Sequence, residues 1–426
     1  MDTQSVLLFV FGAVSTLYII HFGMYLVGAN LYDIWQFRRQ KELALHPDAG
    51  ELPLVSVLVA AHNEEQVIVR CLDSIRASSY KNIEVFVVDD ASIDKTYMIV
   101  RRYIRQHPDF LLRIIHKRRN AGKGSALNTA LEKYARGDLV MTLDADSILF
   151  RETIKNAVTY FRDPTIAGVA ANVQIIDDYT LLGMLQRFEH MIGYRSKKTY
   201  TVSNCEFVVG GVASTYRMDV LRDVQFYDTD TLTEDIGLSM KVISTGNKAR
   251  RVIYAVDVMA KTEGVETFKA LVRQRYRWKY GSLQNLAKYS AIMFSPDRRY
   301  TASLAFYRLP VAVLSEFVLL LSPLIWGYVL YLTLAHLTLR LVMGAYLTIS
   351  IYTFVTVWFD EYCRFKQRLH LTLYVPLAYF IFYVMDMVQL IAIVRCMYHG
   401  RKILSGKSDG SVWASPQRTG QEVTQE

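Results

Sequence analysis

The run Asp138-Leu-Val-Met-Thr-Leu-Asp144-Ala145-Asp146-Ser147 reads as a short apolar strand that ends abruptly in two carboxylates separated by one small residue. On an open α/β sheet, ligands gather at the carboxyl ends of strands, where loops leave the core and backbone groups are free. Asp144 and Asp146 stand at that edge. Two acids so placed repel each other unless something positive lies between them. A hard divalent cation that also grips substrate phosphates is the usual answer, so a metal–diphosphate site is the first hypothesis. An ordinary turn or helix cap gives the same Asp-X-Asp pattern, so the surrounding strands decide the reading.

Upstream, Leu54-Val-Ser-Val-Leu-Val-Ala-Ala61 has the pattern of a buried strand and ends in His62-Asn63-Glu64-Glu65. A helix follows with Val67, Cys71, Leu72 and Ile75 on one side. Ile83-Glu-Val-Phe-Val-Val88 repeats the strand pattern and ends in Asp89-Asp90-Ala-Ser92. A third strand near Leu112-Arg-Ile-Ile115 runs into Asn120-Ala-Gly122-Lys123-Gly124-Ser125, which opens another helix. This strand–helix alternation, at roughly 30-residue spacing, predicts a mostly parallel, doubly wound α/β sheet. Each polar cluster alone fits turn chemistry. Four clusters at the same end of successive strands are better explained by a shared cleft. No Gly-X-Gly-X-X-Gly or Walker sequence follows the first strand, so dinucleotide and P-loop readings lack support. Lys123, between two glycines at a helix start, suits an anionic ligand and reads equally as a solvated surface lysine.

Downstream, Gln186 to Arg195 predicts a helix, and Phe207-Val-Val-Gly210-Gly211-Val-Ala-Ser214 follows it. The paired glycines permit either a close backbone approach to a ligand or a simple tight turn. Thr233-Glu234-Asp235 opens an apolar-periodic helix. Its acids either complement the helix amino end or supply a general base. In Phe268-Lys-Ala-Leu-Val-Arg-Gln274-Arg275-Tyr276-Arg277-Trp278-Lys279-Tyr280, helical periodicity puts Gln274, Arg277 and Trp278 on one face. Phe268, Val272, Tyr276, Tyr280 and Leu283 line the other, so the helix is expected to lie along the membrane interface. Arg suits a phosphate and Trp the apolar face of a sugar ring.

Apolar residues make up 52% of the 426 and charged ones 21%, but they are unevenly mixed. Ser5 to Ala29 is long enough to span a bilayer, and basic Arg38 and Arg39 follow it, which favours a retained anchor. Leu309 to Leu334, Leu337 to Phe359 and Leu371 to Val394 are also long enough. Glu316 and Asp386, at membrane depth, read either as conduit lining or as interhelical packing. Lys and Arg exceed Asp and Glu by 49 to 40, clustering beside apolar runs. This is the signature of cytoplasmic membrane flanks and not of a nucleic-acid surface. Three crossings would leave the carboxyl end outside, whereas Arg395, Arg401 and Lys402 argue for the inside, and the sequence leaves both open. Four scattered cysteines provide neither a disulfide framework nor a zinc site. The expected organisation is an anchor over 1–30, a linker over 31–53, an α/β domain over 54–250, amphipathic interface helices over 251–300, membrane helices over 301–400, and a polar tail over 401–426 with Trp413 as its one anchor.

Asp89-Asp90, Asp144-Ala-Asp146, Thr233-Glu234-Asp235 and Gln274-Arg-Tyr-Arg277-Trp278 together resemble, in order and spacing, the processive membrane-embedded family 2 glycosyltransferases. That group contains cellulose, chitin and hyaluronan synthases, and the motif forms here are most similar to the bacterial poly-β-1,6-N-acetylglucosamine synthases. The resemblance covers roughly Leu54 to Ala287 and implies a nucleotide-sugar domain of the GT-A type inserted between transmembrane helices. It implies that Glu64, Asp89, Asp90, Lys123 and Asp144 serve the donor, with Asp89 or Asp90 on the nucleoside. Asp144 and Asp146 would hold Mg2+ or Mn2+. Asp235, beside Glu234, would be the base that deprotonates the acceptor hydroxyl. Gln274, Arg277 and Trp278, with Gly210 and Gly211, would hold the diphosphate and acceptor sugar. The expected activity is inverting polymerisation of a UDP-sugar, UDP-N-acetylglucosamine foremost, at a plasma membrane with the domain cytoplasmic and export of the chain. Alternatives are another UDP-sugar or single-sugar transfer to a polyprenyl phosphate. One amino-terminal span and no evident carboxyl-terminal module depart from the family pattern, so a small accessory membrane subunit is an expected partner.

Overall fold

The computed structural model describes residues 3–45, 52–176, 180–336, 339–360 and 362–405. The end of the expected linker, 46–51, and the tail from 406 with Trp413 lie outside the described residues.

Eight strands form one sheet: β1 (Val55–Ala61), β2 (Ile83–Asp89), β3 (Leu112–His116), β4 (Leu139–Asp144), β5 (Ile148–Leu149), β6 (Ile166–Ile175), β7 (Ser214–Arg217) and β8 (Arg251–Thr262). Their order is β3-β2-β1-β4-β7-β6-β8-β5. The half carrying β3, β2, β1 and β4 is wholly parallel. Beyond it, β7 runs antiparallel to both β4 and β6, β6 and β8 pair in parallel, and β5 closes the edge antiparallel to β8. The sheet is therefore mixed where a mostly parallel one was expected. A buried apolar run has the same composition in either direction, so periodicity finds such a strand without giving its sense.

Helices α2 (Ile68–Arg76), α3 (Thr96–Gln106), α4 (Lys123–Lys133) and α5 (Thr153–Tyr160) alternate with the early strands. Both faces of β1 are buried: Val55, Val57 and Val59 pack among Cys71, Leu72 and Val100, while Leu58 and Ala60 pack among Leu127, Ala130 and Leu131. That double coverage is why the strand is apolar but for Ser56, whose buried hydroxyl donates to Glu84 at 2.6 Å. The register pairs Ala61 with Asp89 and Ala60 with Asp144, so two of the polar clusters share one sheet edge.

The later helices are α6 (Leu181–Val202), α7 (Met218–Asp223), α8 (Glu234–Ser244), α9 (Phe268–Lys288), α10 (Leu309–His336), α11 (Leu339–Trp358), α12 (Phe365–Tyr398) and α13 (Gly400–Leu404). Two features shift the expected boundaries. The sheet continues past residue 250 through β8, and the segment from 31 to 45 is helical, continuing α1 (Thr3–Leu45) without a break. This part of α1 docks on the α/β domain: Tyr32 donates to the Tyr254 carbonyl at 3.0 Å, and Gln36 and Arg39 both reach Asp257, at 2.8 and 3.0 Å. Lys198 of α6 adds an ion pair to Asp33 at 2.5 Å.

Among the described residues two helices are long and apolar enough to cross a membrane, Ser303–Ala335 and Phe365–Tyr398. The apolar face of α9 meets protein along much of its length, where a membrane interface was expected. Val272 packs against Ile381, Met385 and Val388 of α12, and Tyr276, Tyr280 and Leu283 pack with Ala392, Ile393 and Cys396. Aromatic residues at helical spacing suit either environment, and only the partner distinguishes them.

His190 of α6 faces the carbonyl of Val173 at 3.1 Å. Burial, reinforced by Arg275 and Arg187, pushes its imidazole down to about 4. The unfolded chain thus binds a proton below its ordinary value near 6.5 while the folded chain does not, so stability is lost as pH falls from about 6.5 to about 4. His190→Asn is expected to remove much of the fall in melting temperature between pH 7 and pH 5. Thermal unfolding of both proteins in detergent across that window checks it, and parallel curves would rule it out.

Candidate active site

Three loops and one helix start converge on the carboxyl edge of β4. The first loop is pinned from within. Asp90 accepts from the backbone N–H of Gly122 at 2.8 Å and pairs with Lys117 at 2.7 Å. Asp89 accepts from His116 at 2.7 Å and from the N–H of Ser92 at 3.0 Å. Both acids are buried, and the contacts just described hold the frame of this sheet edge. Gly122 adopts φ 87°, a left-handed conformation suited to glycine, and so turns the chain into α4 with Lys123 at its start. Glu64 is buried too, and its carbonyl receives the N–H groups of Val67 and Ile68 that open α2.

Lys123 is the electrostatic centre. Its ammonium lies 2.5 Å from Asp144 and 3.5 Å from Glu234. Burial works against its charge, but Asp144, Glu234 and Asp235 outweigh that and raise its pKa above the ordinary lysine value. Burial likewise pushes the Glu234 carboxyl up, with Lys123 opposing. Glu234 and Asp235 occupy the first turn of α8, where acids complement the helix amino end. Oδ1 of Asp235 accepts from the N–H of Ile236 at 2.8 Å. Its Oδ2 faces Gly211: a methyl there would stand 3.7 Å from Oδ2 and would collide with the Lys123 ammonium. The 207–211 loop is tied to α8 by Ser239, which donates to the Phe207 carbonyl at 2.8 Å. No Cβ contact arises at Gly210, so the close approach belongs to Gly211.

Gly211→Ala is therefore expected to displace Lys123 from Asp144 and raise the donor KM roughly tenfold, with thermal stability within about 1 kcal/mol of wild type. Steady-state kinetics and a melt check it together, and an unchanged donor KM would count against the arrangement.

Asp146 is buried, and its carbonyl accepts from Arg70 at 3.2 Å, while Arg70 also pairs with Glu263 at 2.6 Å. Arg70 and Glu263 hold this edge and were not singled out from sequence. Glu263 follows β8 directly, the same strand-end signal that marked the other acids. Among the described residues no group of three or more His, Cys, Asp or Glu side chains could hold a metal ion. Two carboxylates one residue apart are nonetheless of the type that a hard divalent cation takes when it completes its shell with water and substrate phosphates.

α9 is capped by Thr267, whose hydroxyl accepts from the N–H of Ala270 at 3.2 Å. Residues 274, 278, 281 and 285 form one stripe along it. The far end of that stripe grips the α8 loop: Asn285 donates to the Thr233 carbonyl at 3.1 Å, and any side chain at Gly281 would collide with Thr233. Gln284 accepts from the N–H of Leu232 at 3.1 Å. Trp278 is thus one turn from the anchor that carries Glu234 and Asp235, and Gln274 one turn further. Arg277 lies beside them, partly exposed.

Residues 56–225 match the family model "Glycosyl transferase family 2". Over 278 residues the chain is 30% identical to the poly-beta-1,6-N-acetyl-D-glucosamine synthase of Staphylococcus aureus (strain COL), covering 64% of this chain and 65% of that protein. It is 27% identical over the same number of residues to the synthase of the same name from Staphylococcus epidermidis. The alignment spans just under two thirds of these curated relatives' length. The solved mannosyltransferase PcManGT from Pyrobaculum calidifontis, in complex with GDP-Man and Mn2+, is alike in fold, with TM-score 0.60 at 21% identity, covering 91% of this chain and 99% of that one. The chain accordingly carries, over residues 56–225, a family 2 glycosyltransferase domain of GT-A-like architecture.

Proposed function

We propose that the protein is an inverting, metal-dependent polysaccharide synthase that extends a chain from UDP-N-acetylglucosamine at a plasma membrane. The observation that carries this is the joining of donor and acceptor groups on one frame. Lys123, Asp144, Glu234 and Asp235 cluster at the sheet edge, and α9 fastens its Gln274–Trp278 stripe to Thr233 beside them. Relatedness to poly-beta-1,6-N-acetyl-D-glucosamine synthases supports the choice of sugar.

In the proposed reaction Asp235 takes the proton from an acceptor hydroxyl, whose oxygen then attacks the anomeric carbon from the face opposite the diphosphate. The bond from that carbon to the diphosphate oxygen breaks, and UDP leaves with the electron pair. Lys123 offsets charge growing on the leaving group, and Glu234 holds Lys123 in place. Asp144 and Asp146 would hold Mg2+ or Mn2+, which when bound would supply Lewis-acid stabilisation of the diphosphate. Arg277 contributes a guanidinium for phosphate, and Trp278 an apolar face for the acceptor ring. The helices Ser303–Ala335 and Phe365–Tyr398 keep the domain at the bilayer, with the domain on the cytoplasmic side and the product exported.

The test is UDP release by purified protein in detergent with Mg2+ or Mn2+, offered UDP-N-acetylglucosamine, UDP-glucose and UDP-glucuronate separately, with products sized by gel. A high-mass ladder from the first donor alone is expected. Single-sugar lipid products would replace this reading with lipid glycosylation.

A further inference from the structure

Arg275 lies between the residues assigned to the substrate, yet it is 1% exposed. Its Nη2 donates to Glu189 of α6 in an ion pair. Its Nη1 donates to Oε1 of Gln274 at 3.2 Å. Its guanidinium carbon stands 4.1 Å from the centroid of the Trp278 ring, while Trp278 remains 38% exposed. The Nε makes no hydrogen bond among the described residues. One side chain therefore touches both the amide and the indole of the α9 stripe, and is itself fixed from a different helix.

Each contact depends on the shape of the group. A guanidinium stacks flat on an aromatic face while its edge forms hydrogen bonds, which an ammonium cannot imitate. With one face covered by Arg275, the indole has a single face left for a ring, and its orientation is set. Glu189 is the counterion that makes burial of the guanidinium tolerable, since an unpaired buried charge is strongly unfavourable.

We propose that Arg275, held by Glu189, is a positioning residue that orients Gln274 and Trp278 for the acceptor and so sets how firmly the growing end is retained between additions. This rests on the acceptor role proposed above for Trp278. It separates acceptor from donor: weakening the clamp loosens the growing end and leaves the nucleotide edge, built from β1, β2 and β4, untouched.

The experiment uses full-length protein in membranes with UDP-N-acetylglucosamine and a β-1,6-linked N-acetylglucosamine tetrasaccharide at varied concentration. UDP release and product length are read for wild type, Arg275→Lys and Glu189→Gln. Arg275→Lys is expected to raise the acceptor KM roughly tenfold and shorten the product, with donor KM within about twofold of wild type. Glu189→Gln keeps an acceptor oxygen opposite Arg275 and is expected to move both readouts the same way by about threefold. Acceptor KM and product length unchanged in both variants would overturn the proposal, as would a fall in kcat alone, the mark of a merely structural pair. A wild type that makes no polymer overturns the functional reading first and the clamp with it.

Discussion

Asp235→Asn is expected to lower kcat by roughly 10³-fold, inside the range of about 10² to 10⁴ for removal of a general base. The substitution keeps the side chain's shape, and its amide oxygen can still accept from the N–H of Ile236, so α8 keeps its first turn. Donor KM should stay within about twofold of wild type, because the Lys123–Asp144 pair remains. Glu234→Gln is the informative contrast. It removes the second partner of Lys123 and should act mainly on donor KM. Initial-rate UDP release with both variants, alongside thermal melts, makes the comparison. An Asp235→Asn enzyme with kcat within tenfold of wild type would reassign the base.

Asp146→Asn is the second large effect, expected to cost about 10² to 10³ in kcat and to raise the divalent-ion concentration needed for half-maximal rate. The residue is buried at the end of β4, with its backbone held by Arg70, so the change alters charge without freeing the loop. Chelation of divalent ions should abolish wild-type turnover, and adding back Mg2+ or Mn2+ should restore it. A variant whose metal titration overlays that of wild type would exclude Asp146 as a ligand.

Much of the fold was legible because burial on both faces forces nearly continuous apolar runs, as in Val55–Ala61 and Leu139–Leu143, each with one buried hydroxyl residue, and because polar residues mark where each run leaves the core. Strand direction was not legible. Composition does not encode it, and the antiparallel entry of Ser214–Arg217 between β4 and β6 appears only once the chain is folded. The strand Arg251–Thr262 was likewise absorbed into a region expected to be helical.

At the site, sequence gave residue types but not the partners that constrain them. Asp89 and Asp90 read as nucleoside contacts, and the fold engages both itself, Asp89 with an amide and the His116 imidazole and Asp90 with an amide and Lys117. Arg70 and Glu263 are 193 positions apart, Arg275 and Glu189 86 apart, and Asn285 and Thr233 52 apart. Such pairs leave no local pattern to detect. The acids of Thr233-Glu234-Asp235 stood out because charge at a helix start is a local signal.

The anchoring of Thr233 by Gly281 and Asn285 has a mechanical consequence. The same helix that grips Thr233 packs Leu271, Tyr276 and Tyr280 against α12. The start of α8, which bears Asp235, is thereby mounted through one helix on a segment long and apolar enough to cross a bilayer. A tilt of α12 would be passed by α9 to Thr233 and so to the first turn of α8, which carries Asp235.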